Sequence, residues 1–144
     1  MGRVVVHLDS RPKDRAIASI LTGYEERVRS RGISIQFSEP RRGSKNYESE
    51  LSGIPGKLVL LDENGTSMTS EEMANWLHSV QLGFETTNMA VGPPDGFSQE
   101  LRDSADQIIS LSSLTLTHEM AGALLMEQLY RASEINKGSS YHRD

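Results

Sequence analysis

Short apolar runs alternate along the chain with longer stretches in which apolar residues recur at helical spacing. Val4-Val5-Val6-His7-Leu8 is a β-branched run and predicts a buried strand. Ile17, Ile20, Leu21, Tyr24 and Val28 then follow a helical period, with Pro12 expected in the first turn and Gly32 as the stop. Ile33, Ile35 and Phe37 alternate with Ser34, Gln36 and Ser38, predicting a second strand. Residues 39–56 hold two prolines and three glycines and read as a long loop, with one helical turn near Tyr47 to Leu51. Lys57 to Asp62 predicts a third strand ended by a turn at Asn64-Gly65. Thr69 and Glu72 form a capping-box pattern ahead of a helix that runs to Gly83. Asn88 to Val91 is a fourth strand, closed by Gly92-Pro93-Pro94-Asp95-Gly96. Ser98 caps a short helix to about Ala105, Gln107 to Leu111 is a fifth strand, and His118 to Asn136 is a last helix stopped by Gly138.

Strands alternating with helices predict an α/β domain with a mostly parallel sheet and helices on both faces. Ligands bind beyond the carboxyl ends of such strands, which selects the loops after Leu61, Val91 and Leu111. The last helix leaves only a narrow polar stripe between Ala121, Leu124, Leu125, Leu129, Tyr130 and Ile135. A helix apolar nearly all round must be buried on most sides. Burial in a subunit interface is placed slightly ahead of burial within one chain.

The 144 residues suit one core, so the whole span 1–144 is expected to be a single domain. The chain has no cysteine, which excludes disulfides, a thiol nucleophile and Cys-ligated zinc. No apolar run reaches the ~20 residues of a membrane span, and the first residues lack a signal-peptide pattern. A cytoplasmic protein with no membrane partner is the expectation. The net charge is −5, yet it is unevenly placed. Residues 1–57 carry 11 Lys/Arg and 7 Asp/Glu, whereas residues 58–144 carry 4 and 13. Basic residues cluster at Arg11, Lys13 and Arg15, at Arg27, Arg29 and Arg31, and at Arg41, Arg42 and Lys45. On charge alone, solvated faces are favoured over phosphate contacts.

Several chemistries have no residues to carry them. There is no Gly-rich phosphate loop and no Gly-x-Ser-x-Gly elbow. His7, His78, His118 and His142 show no metal-ligand spacing, so no metal is expected. His7 reads as a packed core residue and His78 as an exposed one. His118 opens the last helix. Taken alone, the tail Tyr141-His142-Arg143-Asp144 reads as a frayed end.

The motifs Leu60-Leu61-Asp62-Glu63-Asn64-Gly65, Ser70-Glu71-Glu72-Met73-Ala74 and Val91-Gly92-Pro93-Pro94-Asp95-Gly96 occur in order. After them come Ser110-Leu111-Ser112-Ser113-Leu114-Thr115-Leu116-Thr117-His118, Glu127-Gln128-Leu129-Tyr130-Arg131-Ala132 and Tyr141-His142-Arg143. Together these resemble the RlmH (YbeA) family of the SPOUT superfamily, methyltransferases that act on N3 of a pseudouridine in large-subunit (23S-type) ribosomal RNA. The resemblance covers residues 57–144 well and the first 38 in outline.

It implies a SPOUT-like fold of five to six strands in which the C-terminal segment forms a trefoil knot. It also implies S-adenosyl-L-methionine as cofactor, ribosomal RNA as partner (within the ribosome) and a homodimer with the pockets near its interface. The family's cofactor contacts fall on Leu61, Gly92 and the run Leu111, Ser112, Ser113, Leu114, Thr115 and Leu116. Ordinary core packing is the competing reading of the leucines. Methyl transfer to a ring nitrogen demands alignment and removal of an imino proton whose pKa is about 9 to 10. His142 and Tyr141 are the candidates for placing the base or orienting the nucleotide, and Arg143 for holding a phosphate. A non-catalytic RNA- or ribosome-binding homologue and a small nucleotide-binding module are the alternatives.

Overall fold

A computed structural model describes residues 1–39 and 46–143. The basic cluster of Arg41, Arg42 and Lys45 lies outside these residues, as does Asp144. In chain order the elements are β1 (Val4–Leu8), α1 (Arg15–Val28), β2 (Ile33–Phe37), α2 (Asn46–Ser52), β3 (Lys57–Ser67), α3 (Ser70–Leu82), β4 (Thr87–Val91), α4 (Gln99–Ser104), β5 (Gln107–Ser110) and α5 (His118–Lys137). Single helical turns follow α1 at Arg29–Arg31 and α5 at Tyr141–Arg143.

The five strands form one parallel sheet in the order β2-β1-β4-β3-β5. All five residues of central β4 are buried, as a strand covered on both faces requires. On one face α1, α3 and α5 cover Val4, Val6, Val59, Met89 and Ile109. On the other, Leu51 of α2 and Leu101 of α4 close over Leu58, Leu60 and Ala90. The α/β class, the parallel sheet and the helices on both faces are as the pattern predicts.

Three boundaries differ by more than a single residue, each for a local reason. The helix α1 starts at Arg15, not near Pro12, because the Asp14 carboxylate accepts from the backbone N–H groups of Ala16 and Ile17 and so caps it. The third strand does not end at Asp62. Leu61 and Thr66 both pair with Ile109, so residues 62–65 bulge out and the strand resumes to Ser67. Gly65 permits this, since a Cβ there would lie 2.7 Å from the Ile108 carbonyl oxygen. The expected turn near Tyr47 is a seven-residue helix.

The last helix is covered largely within the chain. It lies against α1 and α3, burying Ala123, Leu125, Met126, Leu129 and Ala132. Gly122 is buried there too, and a Cβ on it would meet Leu8 Cδ2 at 2.9 Å. That close approach seats α5 against the end of β1, at a position where a mid-helix glycine costs ~1 kcal/mol relative to alanine.

Candidate functional site

Leu61 of β3 pairs with Val91 at the end of β4 and with Ile109 near the end of β5, so the β3 bulge and the loops after β4 and β5 open on the same edge. A cavity of about 900 Å³ sits there. Leu61 lines it from β3, Gly92 from the loop after β4, and Leu111, Ser112, Leu114, Thr115 and Leu116 from the loop after β5. Of the residues assigned to the cofactor, Ser113 stands apart: it is exposed on the same loop and does not line the wall.

Side-chain bonds give these loops their shape. Ser110 Oγ donates to the Ser112 carbonyl at 3.0 Å, and Ser112 Oγ accepts from the Leu114 N–H at 3.0 Å. Thr115 Oγ1 reaches Glu63 Oε2 at 3.2 Å, tying the β5 loop to the β3 bulge. Thr117 caps α5 by accepting from the Met120 N–H. In the β3 bulge Asp62 accepts from the Asn64 N–H at 2.8 Å and pairs with Arg102 of α4.

After β4, the Gly96 N–H donates to the Pro93 carbonyl at 2.8 Å and closes a turn. The prolines line the cavity without filling it. Gly92 contributes backbone: the Cβ it lacks would point at Phe97, 3.4 Å from Cε2. A side chain there would add packing against that ring.

Four carboxylates (Asp14, Asp62, Glu63 and Glu119) line the cavity, with no Lys or Arg among the described lining residues. Asp14, Ile17 and the first turn of α5 were not selected from the sequence. The rule that selected the other loops, applied equally to the carboxyl end of β1, points to Asp14. His118 also lines the wall, with Nε2 3.9 Å from Asp9 Oδ1. Among the described residues no group of His, Asp and Glu is arranged to hold a metal ion. Nor is any helix there long and apolar enough to cross a membrane.

The tail does not join this assembly within the chain. Tyr141 Oη donates to Glu127 Oε2 at 2.8 Å, and His142 Nε2 meets Glu71 Oε1 at 2.7 Å. Arg131 Nη1 lies 3.2 Å from His142 Nδ1, its guanidinium stacks on the Tyr141 ring, and Arg143 is exposed. Burial and the Glu127 bond push the Tyr141 phenol above its ordinary value. Glu127 stays below the usual carboxylate range: partial burial opposes this, but bonds from Arg131 and Tyr141 prevail. Glu127 lies nine residues into α5 from His118, about 13 Å along its axis.

His7 and His78 are placed as expected. His7 is buried and donates from Nε2 to Asn88 Oδ1 at 2.8 Å, while Asn88 Nδ2 donates to the carbonyls of Pro55 and Lys57. His78 is exposed.

Comparison with known proteins accords with this geometry. The family model described as "Predicted SPOUT methyltransferase" matches residues 4–142. A Koribacter versatilis protein named ribosomal RNA large subunit methyltransferase H is 38% identical over 135 residues, 90% of each chain. A Prochlorococcus marinus protein of the same name is 45% identical over 122 residues, 82% of this chain and 81% of its own. One from Acidovorax ebreus is 46% identical over 117 residues, 74% of this chain and 75% of its own. The chain therefore belongs to the SPOUT methyltransferases and, among them, to the RlmH family.

Proposed function

We propose that this chain uses S-adenosyl-L-methionine to methylate N3 of a pseudouridine in large-subunit ribosomal RNA. The observation that carries this reading is the convergence of the β3 bulge and the loops after β4 and β5 on one cavity. Family membership and the relatives' shared name support it.

The wall suits that cofactor. Its volume lies in the range of ~300–1,000 Å³ usual for small-molecule sites. Leu61, Leu111 and Leu116 offer apolar surface to an adenine, and the backbone of the 111–116 loop offers hydrogen bonds to its edge. The four carboxylates suit a ligand that carries a sulfonium and an ammonium, because a cleft lined by one sign of charge concentrates the other. When bound, the cofactor supplies a methyl group on a positively charged sulfur. The protein's part is to align the ring nitrogen with that methyl, exclude water and accept the imino proton. Threading of the C-terminal segment into a trefoil knot belongs to the same reading.

We assign Tyr141, His142 and Arg143 to the nucleotide, acting from the second subunit of a homodimer. In their own chain Tyr141 rests on α5 and His142 on α3, and Arg143 is exposed. The helices α1 and α5 lie side by side with apolar residues left exposed, Ile20 at 43% and Met120 at 50%, and Leu114 at 71% precedes α5. Exposed apolar groups along neighbouring elements suit a second copy. Lys13 and Arg15, both exposed, flank Asp14 of the cavity wall and suit RNA phosphates beside the site.

Isothermal titration with S-adenosyl-L-methionine and S-adenosyl-L-homocysteine tests the site, with micromolar binding expected. Labelled methyl should pass to ribosomal particles or to their RNA. Binding without transfer would favour a non-catalytic ribosome-binding role, and failure of both ligands to bind would refute the reading.

A further inference from the structure

Tyr47 lies outside the cavity wall, yet it holds the strand end from which that wall departs. The pairing of β1 with β4 runs from Val4↔Thr87 to His7↔Ala90 and stops there. Beyond that rung the Tyr47 hydroxyl lies 2.9 Å from the His7 carbonyl and 2.7 Å from the Val91 carbonyl. One proton shared between two acceptors makes the hydroxyl a substitute rung between the two strands. Burial, with Asp9 and Glu50 nearby, pushes its pKa above the ordinary 10.0 and keeps that proton in place.

Val91 is the residue before Gly92, so this bond fixes where the cavity loop leaves the sheet. The same short helix holds the loop's far end. The Tyr47 ring stacks on Phe97, with centroids 6.2 Å apart and planes at 27°. Phe97 in turn is the ring against which Gly92 sits. Glu48 accepts from the Ser98 N–H at 3.0 Å and from Ser98 Oγ at 2.5 Å, and Ser98 caps α4. Leu51 anchors the helix in the core beside Phe97 and Leu101.

We propose that Tyr47 is a positioning residue for the cofactor site: its hydroxyl, wedged between the ends of β1 and β4, sets the path of the 92–97 loop, with Glu48 clamping the loop's far end. The proposal rests on the reading of the cavity as the cofactor site. It differs from a plain packing role because the groups held are the carbonyl preceding Gly92 and the cap following Phe97.

Tyr47→Phe removes the hydroxyl and keeps the ring. Its expected effect is a Kd for S-adenosyl-L-homocysteine weakened about fivefold to tenfold, the scale of two carbonyls losing a buried donor. The KM for S-adenosyl-L-methionine should rise by the same factor. At saturating cofactor, kcat and the KM for ribosomal RNA should stay within about twofold of wild type, since the loss is of cofactor binding alone. Glu48→Gln, which loosens only the far end, should show the same pattern at smaller size; should Tyr47→Phe not fold, that variant decides the question. Wild-type cofactor affinity in folded Tyr47→Phe, even with a lowered Tm, would overturn the proposal and leave the cofactor reading standing. Failure of the wild-type protein to bind either cofactor form would overturn both.

Discussion

The loop at 111–117 and the tail at 141–143 flank the same helix, yet they relate to the cavity in opposite ways. The loop reaches it because β5 pairs with β3 in a fixed register, which leaves the chain no other exit than the edge where the β3 and β4 loops also open. The tail has no ladder to fix it. Its docking rests on side chains, Tyr141 on Glu127 of α5 and His142 on Glu71 of α3, with Arg131 reaching the His142 carbonyl, and it lies apart from the cavity wall. Backbone register builds the cavity wall, whereas exchangeable side-chain bonds hold the tail.

Deleting residues 141–144 gives the largest separation of the two. Turnover is expected to fall about 100-fold, the usual cost of misplacing a reacting group, with cofactor Kd unchanged. Mixing this variant with Gly92→Val, which keeps its tail, should restore turnover if the tail serves the partner's cavity, because one site of the mixed dimer is then intact. Full activity of the deletion would return the tail to a frayed end. Absence of rescue would place its action within one chain.

Gly92→Val acts on the other side of the comparison and should be somewhat milder. The added side chain presses on Phe97, and overpacking of ~1–3 kcal/mol translates to a cofactor Kd about tenfold to 100-fold weaker. Calorimetry should show that loss while circular dichroism reports an intact fold. Unchanged affinity would mean that the 92–97 loop is no part of the cofactor wall.

What the amino-acid sequence reveals divides along the same line. Apolar periodicity and caps place the strands and every helix but α2, since Thr69 with Glu72, Ser98 and Thr117 each act on backbone within three residues. The alternation then selects three of the converging loops without any motif. The β3 bulge escapes such reading because Asn64-Gly65 suits a terminating turn equally well, and only the neighbouring Ile108 and Ile109 decide that the strand resumes. Gly122 likewise looks like a helix weakness until Leu8 is found against it. Tyr47 carries no local signal at all: its partners lie 40 and 44 residues away. The place of the tail depends on side-chain bonds across 14 and 71 residues, which no periodicity encodes.

The smallest effects, and the finest test of the contrast, lie in pH. His7 sits where β1 meets β4, and burial lowers its pKa from 6.5 despite the opposing bond from Asn88 and the charge of Glu50. A histidine depressed in the folded state contributes stability that is complete above 6.5 and is lost as pH falls through the lowered value. Glu71, exposed, is held below 4.5 chiefly by its bond with His142. Its contribution to docking the tail is complete above 4.5 and is lost as pH falls through its own lowered value. Acidification from neutrality should therefore disturb both the strand ends at His7 and Asn88 and this carboxylate, each through its own group. Amide and side-chain NMR shifts followed through a titration would resolve the two, with His7→Gln abolishing the first step and Glu71→Gln the second. A single step shared by both regions would show that the tail and the sheet edge are one cooperative unit, and the division between a register-built wall and a side-chain-held tail would fall.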